Sequence, residues 1–199
     1  MTGTDFLLLS PQIALAALGL AMIGLDFVLP VAWRRHVAYV GAAGMLVPIL
    51  LQIAIARNRQ TAFFDTIVVD DLATLVSVLL MVCGALVMLL SSDFIARRSQ
   101  FPGEFAALVA FATLGFTIMA SGRELLTLYI GLETGSISLY ILAGYLKNDV
   151  ESSEAGIKYA LLGAMASAIL LYGIALLYGS TGSTPLATIA EKLSKVLWR

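Results

Sequence analysis

The chain has 199 residues, of which 60% are hydrophobic and 13% charged, and its mean hydropathy is +0.94. A soluble domain carries about a quarter charged residues, so this composition excludes an ordinary soluble protein and indicates a membrane protein. Twelve Lys and Arg against thirteen Asp and Glu give a net charge of -1, which excludes a basic surface for nucleic acid. One cysteine, Cys83, and one histidine, His36, cannot build a thiolate cluster, a bis-histidine haem site or a disulfide framework. We therefore expect no redox centre, metal site or cofactor site in this chain.

Six apolar runs are long enough to cross a bilayer, for which a helix needs about 20 residues. They lie at about 11–32, 36–56, 72–91, 104–121, 124–146 and 153–178. Each run is apolar around its whole circumference, as a helix must be when lipid or other lipid-embedded helices surround it. The sequence therefore predicts an all-α integral membrane protein with about six transmembrane helices. The first run is interpreted as a retained helix and not as a secretory signal, because it is too long and an acidic residue precedes it.

Two segments outside these runs predict surface structure. The connection 57–71 contains FFDTIVVDD, which is typical of a short extended segment or hairpin. Asp70 and Asp71 at its end are interpreted as a solvated turn and not as a metal-binding pair, because no further ligands stand at usable spacing. After Tyr178 the chain is rich in turn residues, and Thr184 as N-cap with Pro185 at the first helical position predicts a C-terminal amphipathic helix. Its apolar stripe and charged opposite face indicate a helix that lies along the membrane interface; the stripe is Leu186, Ile189, Leu193 and Val196.

Basic residues near the helix ends give a weak preference for topology. The connections after helices one, three and five hold five of them, and those after helices two and four hold three. This asymmetry favours an N-terminus outside the cytoplasm. The two groups are Arg34, Arg35, Arg97, Arg98 and Lys147, against Arg57, Arg59 and Arg123.

Beyond the first two residues of each predicted span, three charged residues remain: Asp26, Glu133 and Lys158. An ionisable side chain in hydrocarbon costs at least about 2.5 to 3.5 kcal/mol, so each one is a functional candidate. Glu133 lies deepest, about 14 Å from the start of its helix at 1.5 Å per residue. A carboxyl there gains or loses its proton according to how close a cation lies, which is the chemistry of a proton relay. The alternative is a protonated carboxyl that donates an interhelical hydrogen bond.

Helical spacing places hydroxyl groups and glycines beside Glu133. Tyr129, Ser136 and Tyr140 share its face at steps of four, three and four residues, so they form a candidate polar path. Gly131 and Gly135 form a G-x-x-x-G pair, which predicts the close approach of a neighbouring helix.

The other two ionisable residues have simpler explanations. Lys158 lies near the start of helix six, four residues after Glu154, so it is either a relay member or a snorkelling end charge in a local ion pair. Gly156 and Gly163 belong to a stripe of small residues that predicts helix packing. Asp26, close to the end of helix one, is interpreted as an interfacial residue.

Two motifs carry a family resemblance: GLETGSISLYILAGYLKND at 131–149 and SSEAGIKYALLGAMASAILLYGIALLYGSTG at 152–182. Together they resemble the antiporter-like subunit N of respiratory complex I, the proton-pumping NADH:quinone oxidoreductase. In that family the glutamate of the GLE motif is a proton-relay residue and matches Glu133, and the lysine of the I-K-Y segment belongs to the polar axis and matches Lys158. One departure is that Thr134 and Gly135 stand where the family usually has bulkier residues.

The resemblance implies an architecture for the chain. Residues 1–103 would form three leading helices and the surface hairpin. Residues 104–180 would form helices four to six, which are the first part of an inverted five-helix repeat, and residues 181–199 would form the amphipathic tail. In the family the chain runs on through further helices, including a broken helix seven whose lysine pairs with the glutamate. We therefore expect only the N-terminal part of subunit N here, with helix seven onward supplied by another segment or chain.

The resemblance also implies a function. It predicts a proton-translocating membrane-arm subunit of a translocase in an energy-transducing membrane, the bacterial inner membrane in particular. Its partners would be the lipid bilayer and the other membrane-arm subunits, and NADH, FMN, iron-sulfur clusters and quinone would be bound by partner subunits. Two alternatives remain open: a subunit of a multi-subunit cation/proton antiporter, and a non-conducting structural subunit. An intramembrane enzyme has little support, because H-E-x-x-H and G-x-S-x-G motifs are absent from the sequence.

Overall fold

The computed structural model describes residues 3–29, 36–56, 60–98 and 101–197. Within these ranges the chain forms nine helices and one two-stranded antiparallel sheet. The helices are α1 (Gly3–Leu8), α2 (Ser10–Val28), α3 (Val37–Gly44), α4 (Leu46–Ile55), α5 (Asp71–Arg98), α6 (Pro102–Ser121), α7 (Leu125–Ala143), α8 (Val150–Thr181) and α9 (Leu186–Leu197), and the strands are β1 (Gln60–Ala62) and β2 (Ile67–Val69).

Six helical segments are long and apolar enough to cross a membrane, which confirms the predicted number. They are α2, α3 with α4 as one span, α5, α6, α7 and α8. The protein is therefore an all-α, multi-pass integral membrane protein. The predicted charges at Arg34, Arg35, Arg57 and Arg59 lie outside the described residues.

Helix ends differ from the ends of the apolar runs. The apolar run of α5 stops near residue 91, but the helix continues through Ser92 and Asp93 to Arg98, and the Ser92 hydroxyl donates to the Leu89 carbonyl oxygen at 2.8 Å. In α8 the Asp149 carboxylate accepts the backbone N–H groups of the first turn, so the helix begins before its apolar run. Hydrophobicity therefore marks the hydrocarbon layer, while capping groups set the ends of the helices.

Helix α6 is the centre of the bundle. Half of its span is buried, and it packs on α2, α5 and α7. Its Ala106, Ala107 and Ala110 admit larger side chains from the neighbouring helices, among them Leu15 and Met88. By contrast, only 6% of the α8 span is buried, and this helix packs chiefly on α7. The face of α8 that turns away from α7 is therefore exposed over most of its length.

The loops at one end of the bundle are joined by hydrogen bonds. Strands β1 and β2 form a hairpin in the segment predicted to be extended, and its turn includes Asp65 with a φ of 69°. The backbone N–H of Arg123, between α6 and α7, donates to the Thr66 carbonyl oxygen at 2.9 Å, and the Arg123 carbonyl oxygen accepts the Leu186 N–H at 3.0 Å. The hairpin, the α6–α7 loop and the start of α9 therefore form one connected surface.

The predicted N-cap of the tail helix is wrong. The Thr184 hydroxyl donates to Oε2 of Glu124 at 2.9 Å, and α9 begins at Leu186. A carboxylate accepts a stronger hydrogen bond from a hydroxyl than a neutral group does, so the Thr184 side chain binds Glu124. The amphipathic character of α9 agrees with the prediction, since Ile189 of the apolar stripe is buried and Lys195 opposite it is exposed.

Candidate functional site

Glu133 lies near the middle of α7. It follows the first residue of the helix by eight positions and precedes the last by ten, which places it about 12 to 15 Å from the two ends. The residue is half-buried, and its Oε1 atom is fully buried and has no hydrogen-bond partner in the part of the chain that the structure describes. A buried carboxyl oxygen without a partner is costly, so such a group is expected to have a function or to bind a further group.

A backbone contact between α6 and α7 lies beside this carboxyl. A Cβ atom on Gly131 would lie 2.7 Å from both the Gly115 carbonyl oxygen and the Met119 nitrogen. A Cβ on Gly135 would lie 2.8 Å from the ring of Phe116. The G-x-x-x-G pair therefore faces α6 at a distance that only glycine permits, and Gly115 is the partner that sequence reasoning missed.

The hydroxyl groups that share a face with Glu133 do not bind its carboxyl. Tyr129, Ser136 and Tyr140 are half-buried, and in the described part of the chain none of them hydrogen-bonds Glu133. The Tyr140 ring packs edge-on against Tyr159 of α8 with the centroids 4.8 Å apart, and its hydroxyl fills the space over Gly163. Tyr140 therefore belongs to the packing of α7 on α8.

Lys158 lies on the exposed part of α8. Its side chain is 70% exposed and forms an ion pair with Glu154, one turn earlier. No ion pair between Lys158 and Glu133 occurs among the described residues. Nearby, Gly156 meets α7 closely, since a Cβ there would lie 2.7 Å from the Gly144 Cα. The small-residue stripe of α8 thus packs on α7, and Lys158 does not.

Asp26 lies in the last turn of α2, at the end of a membrane span, and it is buried there against the start of α6. Only 2% of the residue is exposed, and its Oδ2 atom accepts the Glu104 backbone N–H at 2.9 Å in the first turn of α6. A carboxylate at a helix N-terminus is stabilised by the free N–H groups there. Asp70 acts similarly at α5, where Oδ1 accepts the Ala73 N–H at 2.7 Å. No group of three or more His, Cys, Asp or Glu side chains that could hold a metal ion occurs among the described residues.

Comparisons with known proteins agree with this architecture. A family model described as "NADH:quinone oxidoreductase/Mrp antiporter, TM" matches residues 122–197, which include α7 and α8. The NADH-quinone oxidoreductase subunit N 1 of Koribacter versatilis is 37% identical and aligns with 98% of this chain. Subunit N of Moorella thermoacetica is 41% identical over 94% of the chain. Over nearly its whole length, this chain is similar to part of subunit N.

A solved structure of respiratory complex I also contains a similar chain. A chain in the structure of respiratory complex I from Thermus thermophilus with bound aureothin is 31% identical, with a TM-score of 0.72 over 88% of this chain and 38% of that one. The chain spans about two fifths of the length of the curated relatives, with 40% and 39% of the two relatives covered. The subunit N resemblance of the motifs at 131–149 and 152–182 is therefore confirmed, and it covers part of each relative's length.

Proposed function

We propose that this subunit N chain works in the membrane arm of a proton-translocating NADH:quinone oxidoreductase, with Glu133 as the proton carrier. The observation that supports this proposal is the buried, unpartnered carboxyl oxygen of Glu133 in the middle of a membrane span. A carboxyl in this position can change its protonation state when a neighbouring charge moves, because little water is present to screen that charge.

The proposed step is electrostatic. When a cation from the segment that supplies helix seven onward approaches, the Glu133 carboxylate is stabilised, and when the cation withdraws, the carboxylate takes up a proton. Lys158 is the second proposed relay member. Its exposed pair with Glu154 is worth little, so a small rearrangement would release it. Tyr129, Ser136 and Tyr140 border a path that water would have to complete.

The electron-transfer chemistry is proposed to belong to partner subunits. These subunits would bind NADH, FMN, iron-sulfur clusters and quinone, and the other membrane-arm subunits would pass the driving signal to this chain. The membrane would be an energy-transducing one, the bacterial inner membrane in particular. This chain contributes a protonatable group and the helix packing that holds it.

The test is Glu133→Gln in the assembled complex, reconstituted in sealed vesicles. Glutamine keeps the size and polarity of the side chain but cannot carry a proton, so we expect normal assembly with fewer protons moved per NADH oxidised. Glu151→Gln is the matched control, because Glu151 is an exposed acid in the first turn of α8. Unchanged pumping in the Glu133 variant, at an unchanged rate of NADH oxidation, would refute the role of this carboxyl.

A second candidate is a subunit of a multi-subunit cation/proton antiporter, since the description of the matching family includes Mrp antiporters. It predicts cation-driven proton movement in vesicles without NADH, and purification without flavin or iron-sulfur polypeptides. A non-conducting structural subunit is the third, and it predicts that Glu133→Ala has no effect on proton movement.

A further inference from the structure

A cavity of about 440 Å³ opens at the end of the bundle where α5 ends, α6 begins and α7 turns into α8. Its walls include two cations, two carboxylates and two aromatic rings: Arg98, Lys147, Glu104, Asp149, Phe101 and Tyr145. The cavity lies at the ends of four membrane spans, where the hydrocarbon layer meets water. Phospholipid headgroups occupy this level of a bilayer.

The cations of the cavity are available to a ligand. The Arg98 guanidinium lies over the Phe94 ring, 4.6 Å from its centroid, and has no carboxylate partner among the described residues. Stacking of this kind leaves the N–H edge of the guanidinium free to donate in two parallel bonds. The Lys147 Nζ atom is 3.7 Å from Oε2 of Glu104, and the lysine side chain is 78% exposed. Both cations can therefore turn toward a phosphate.

The carboxylates of the cavity select against a purely anionic ligand. Two cations and two carboxylates give the lining a net charge of zero. The Asp149 Oδ1 atom already accepts the Glu151 and Ser152 N–H groups at the start of α8. Glu104, whose side chain is 40% exposed, is therefore the carboxylate that can bind a positively charged group of a ligand. A lining of this kind is complementary to a ligand that carries one negative and one positive charge.

Two contacts hold Tyr145 in the wall of the cavity. The buried Tyr145 hydroxyl donates to the Phe101 carbonyl oxygen at 2.5 Å, and its ring packs edge-on against Phe105 with the centroids 5.4 Å apart. Below the rim, α5 presents apolar side chains that are exposed in this chain, with Leu90 at 83% and Phe94 at 49%. A headgroup in the cavity would therefore have an apolar surface beside it for its acyl chains.

We propose that this cavity binds the headgroup of a zwitterionic phospholipid of the phosphatidylethanolamine type. Arg98 and Lys147 bind the phosphate, and Glu104 accepts hydrogen bonds from the ammonium group. An ethanolamine ammonium has three N–H donors, whereas a choline group has none and a glycerol headgroup has no positive charge. The site therefore prefers phosphatidylethanolamine to phosphatidylcholine and to phosphatidylglycerol. This proposal does not depend on Glu133.

The experiment measures lipid retained by the assembled complex after delipidation and incubation with micelles of one of these three phospholipids. We expect the unmodified complex to retain phosphatidylethanolamine preferentially. Arg98→Gln should lower this retention by about fivefold, as the loss of one charge-assisted contact predicts. Arg97→Gln is the matched control, because Arg97 is an exposed neighbour on α5 that does not line the cavity.

Two further variants make the result decisive. Glu104→Gln should raise the retention of phosphatidylglycerol relative to phosphatidylethanolamine, because the repulsive carboxylate is gone. Lys147→Gln replaces Arg98→Gln if the latter complex does not assemble, and should likewise lower the retention. Equal retention of the three lipids by the unmodified complex would overturn the proposal, and so would equal retention by the Arg98 and Arg97 variants.

Discussion

Gly115→Ala tests whether the contact of α6 with α7 holds Glu133 in place. A Cβ on Gly115 would lie 2.6 Å from the Gly131 carbonyl oxygen and 2.8 Å from the Gly135 Cα, and it would also meet the Gly135 nitrogen. These are backbone atoms, so no side-chain rotation relieves the clash. Ordinary contact begins at 3.4 Å, so the Gly131 oxygen must move away by about 0.8 Å, the difference between 3.4 and 2.6 Å, and the Gly135 nitrogen, which lies closer still, must move further.

The cost of that displacement follows from the packing of the site. Overpacking in a close-packed interior destabilises by about 1 to 3 kcal/mol. Alanine gains up to about 1 kcal/mol over glycine in helix propensity, which offsets part of this cost. Because the clash involves backbone atoms, the cost lies in the upper half of this range, about 2 to 3 kcal/mol, and after the gain of about 1 kcal/mol we expect Gly115→Ala to lower the free energy of unfolding by about 1 to 2 kcal/mol. The same movement opens the space around Glu133, which lies between the two α7 glycines.

The assay is unfolding by sodium dodecyl sulfate from detergent micelles, followed by far-ultraviolet circular dichroism. Gly173→Ala on α8 is the matched control, because a Cβ there meets nothing within 4 Å. The control should be neutral or slightly stabilised. If Gly115→Ala unfolds at the same detergent fraction as Gly173→Ala, the backbone contact does not set the distance between α6 and α7, and the reasoning fails.

Three further predictions concern polar contacts outside the glycine interface. Asp26→Ala should lower the free energy of unfolding by about 1 to 2 kcal/mol in the same assay, since α6 loses its capping carboxylate; an unchanged midpoint would contradict this. Asp65→Asn should lower the free energy of unfolding by at most about 1 kcal/mol, because the Asp65 and Arg123 side chains are 60% and 40% exposed. Added salt should reduce the difference in the free energy of unfolding between this variant and the unmodified protein. The hydrogen bond and charge of Lys195 hold the pKa of Glu191 below its ordinary value, so this contact stabilises α9 above the ordinary pKa and is lost as the pH falls through the lowered one. Lys195→Gln should raise the pKa of Glu191, as measured by an NMR titration of its carboxyl carbon, and an unmoved titration would refute the assignment.

The membrane spans could be predicted from the sequence, but the helix ends could not. In hydrocarbon every backbone polar group must be bonded within the segment, so a long apolar run is a helix. Once the chain leaves the hydrocarbon, helix and loop are both permitted, and local contacts decide. For this reason α5 continues seven residues past the predicted end at 91 to Arg98, and α7 ends at Ala143, three residues before the predicted 146.

The candidate site could be predicted only in part, because spacing along one helix does not show what lies opposite. Glu133 and the glycine pair are evident within α7, whereas Gly115 stands on another helix and has no motif of its own. Spacing along α7 places Tyr140 on the face that includes Glu133. The long Tyr140 side chain, however, packs over Gly163 of α8 and does not bind the Glu133 carboxyl. Periodicity fixes the direction of a side chain, and the neighbouring helix determines its partner.

Glu133 and Lys158 differ in how strongly their burial and contacts support a role in the proposed relay. The Glu133 Oε1 atom is buried and has no hydrogen-bond partner among the described residues, which supports its place in the proposed relay. Lys158 has a partner one turn away, and both side chains are mostly exposed, at 70% and 58%. An exposed pair at this spacing contributes about 0.3 to 0.5 kcal/mol, so water alone can replace Glu154. The Lys158 ammonium would become sensitive to a distant charge only if a further segment covered α8 and excluded water from the pair. In the proposed relay, proton transfer would therefore depend on Glu133 first, and on Lys158 only where a further segment covers α8.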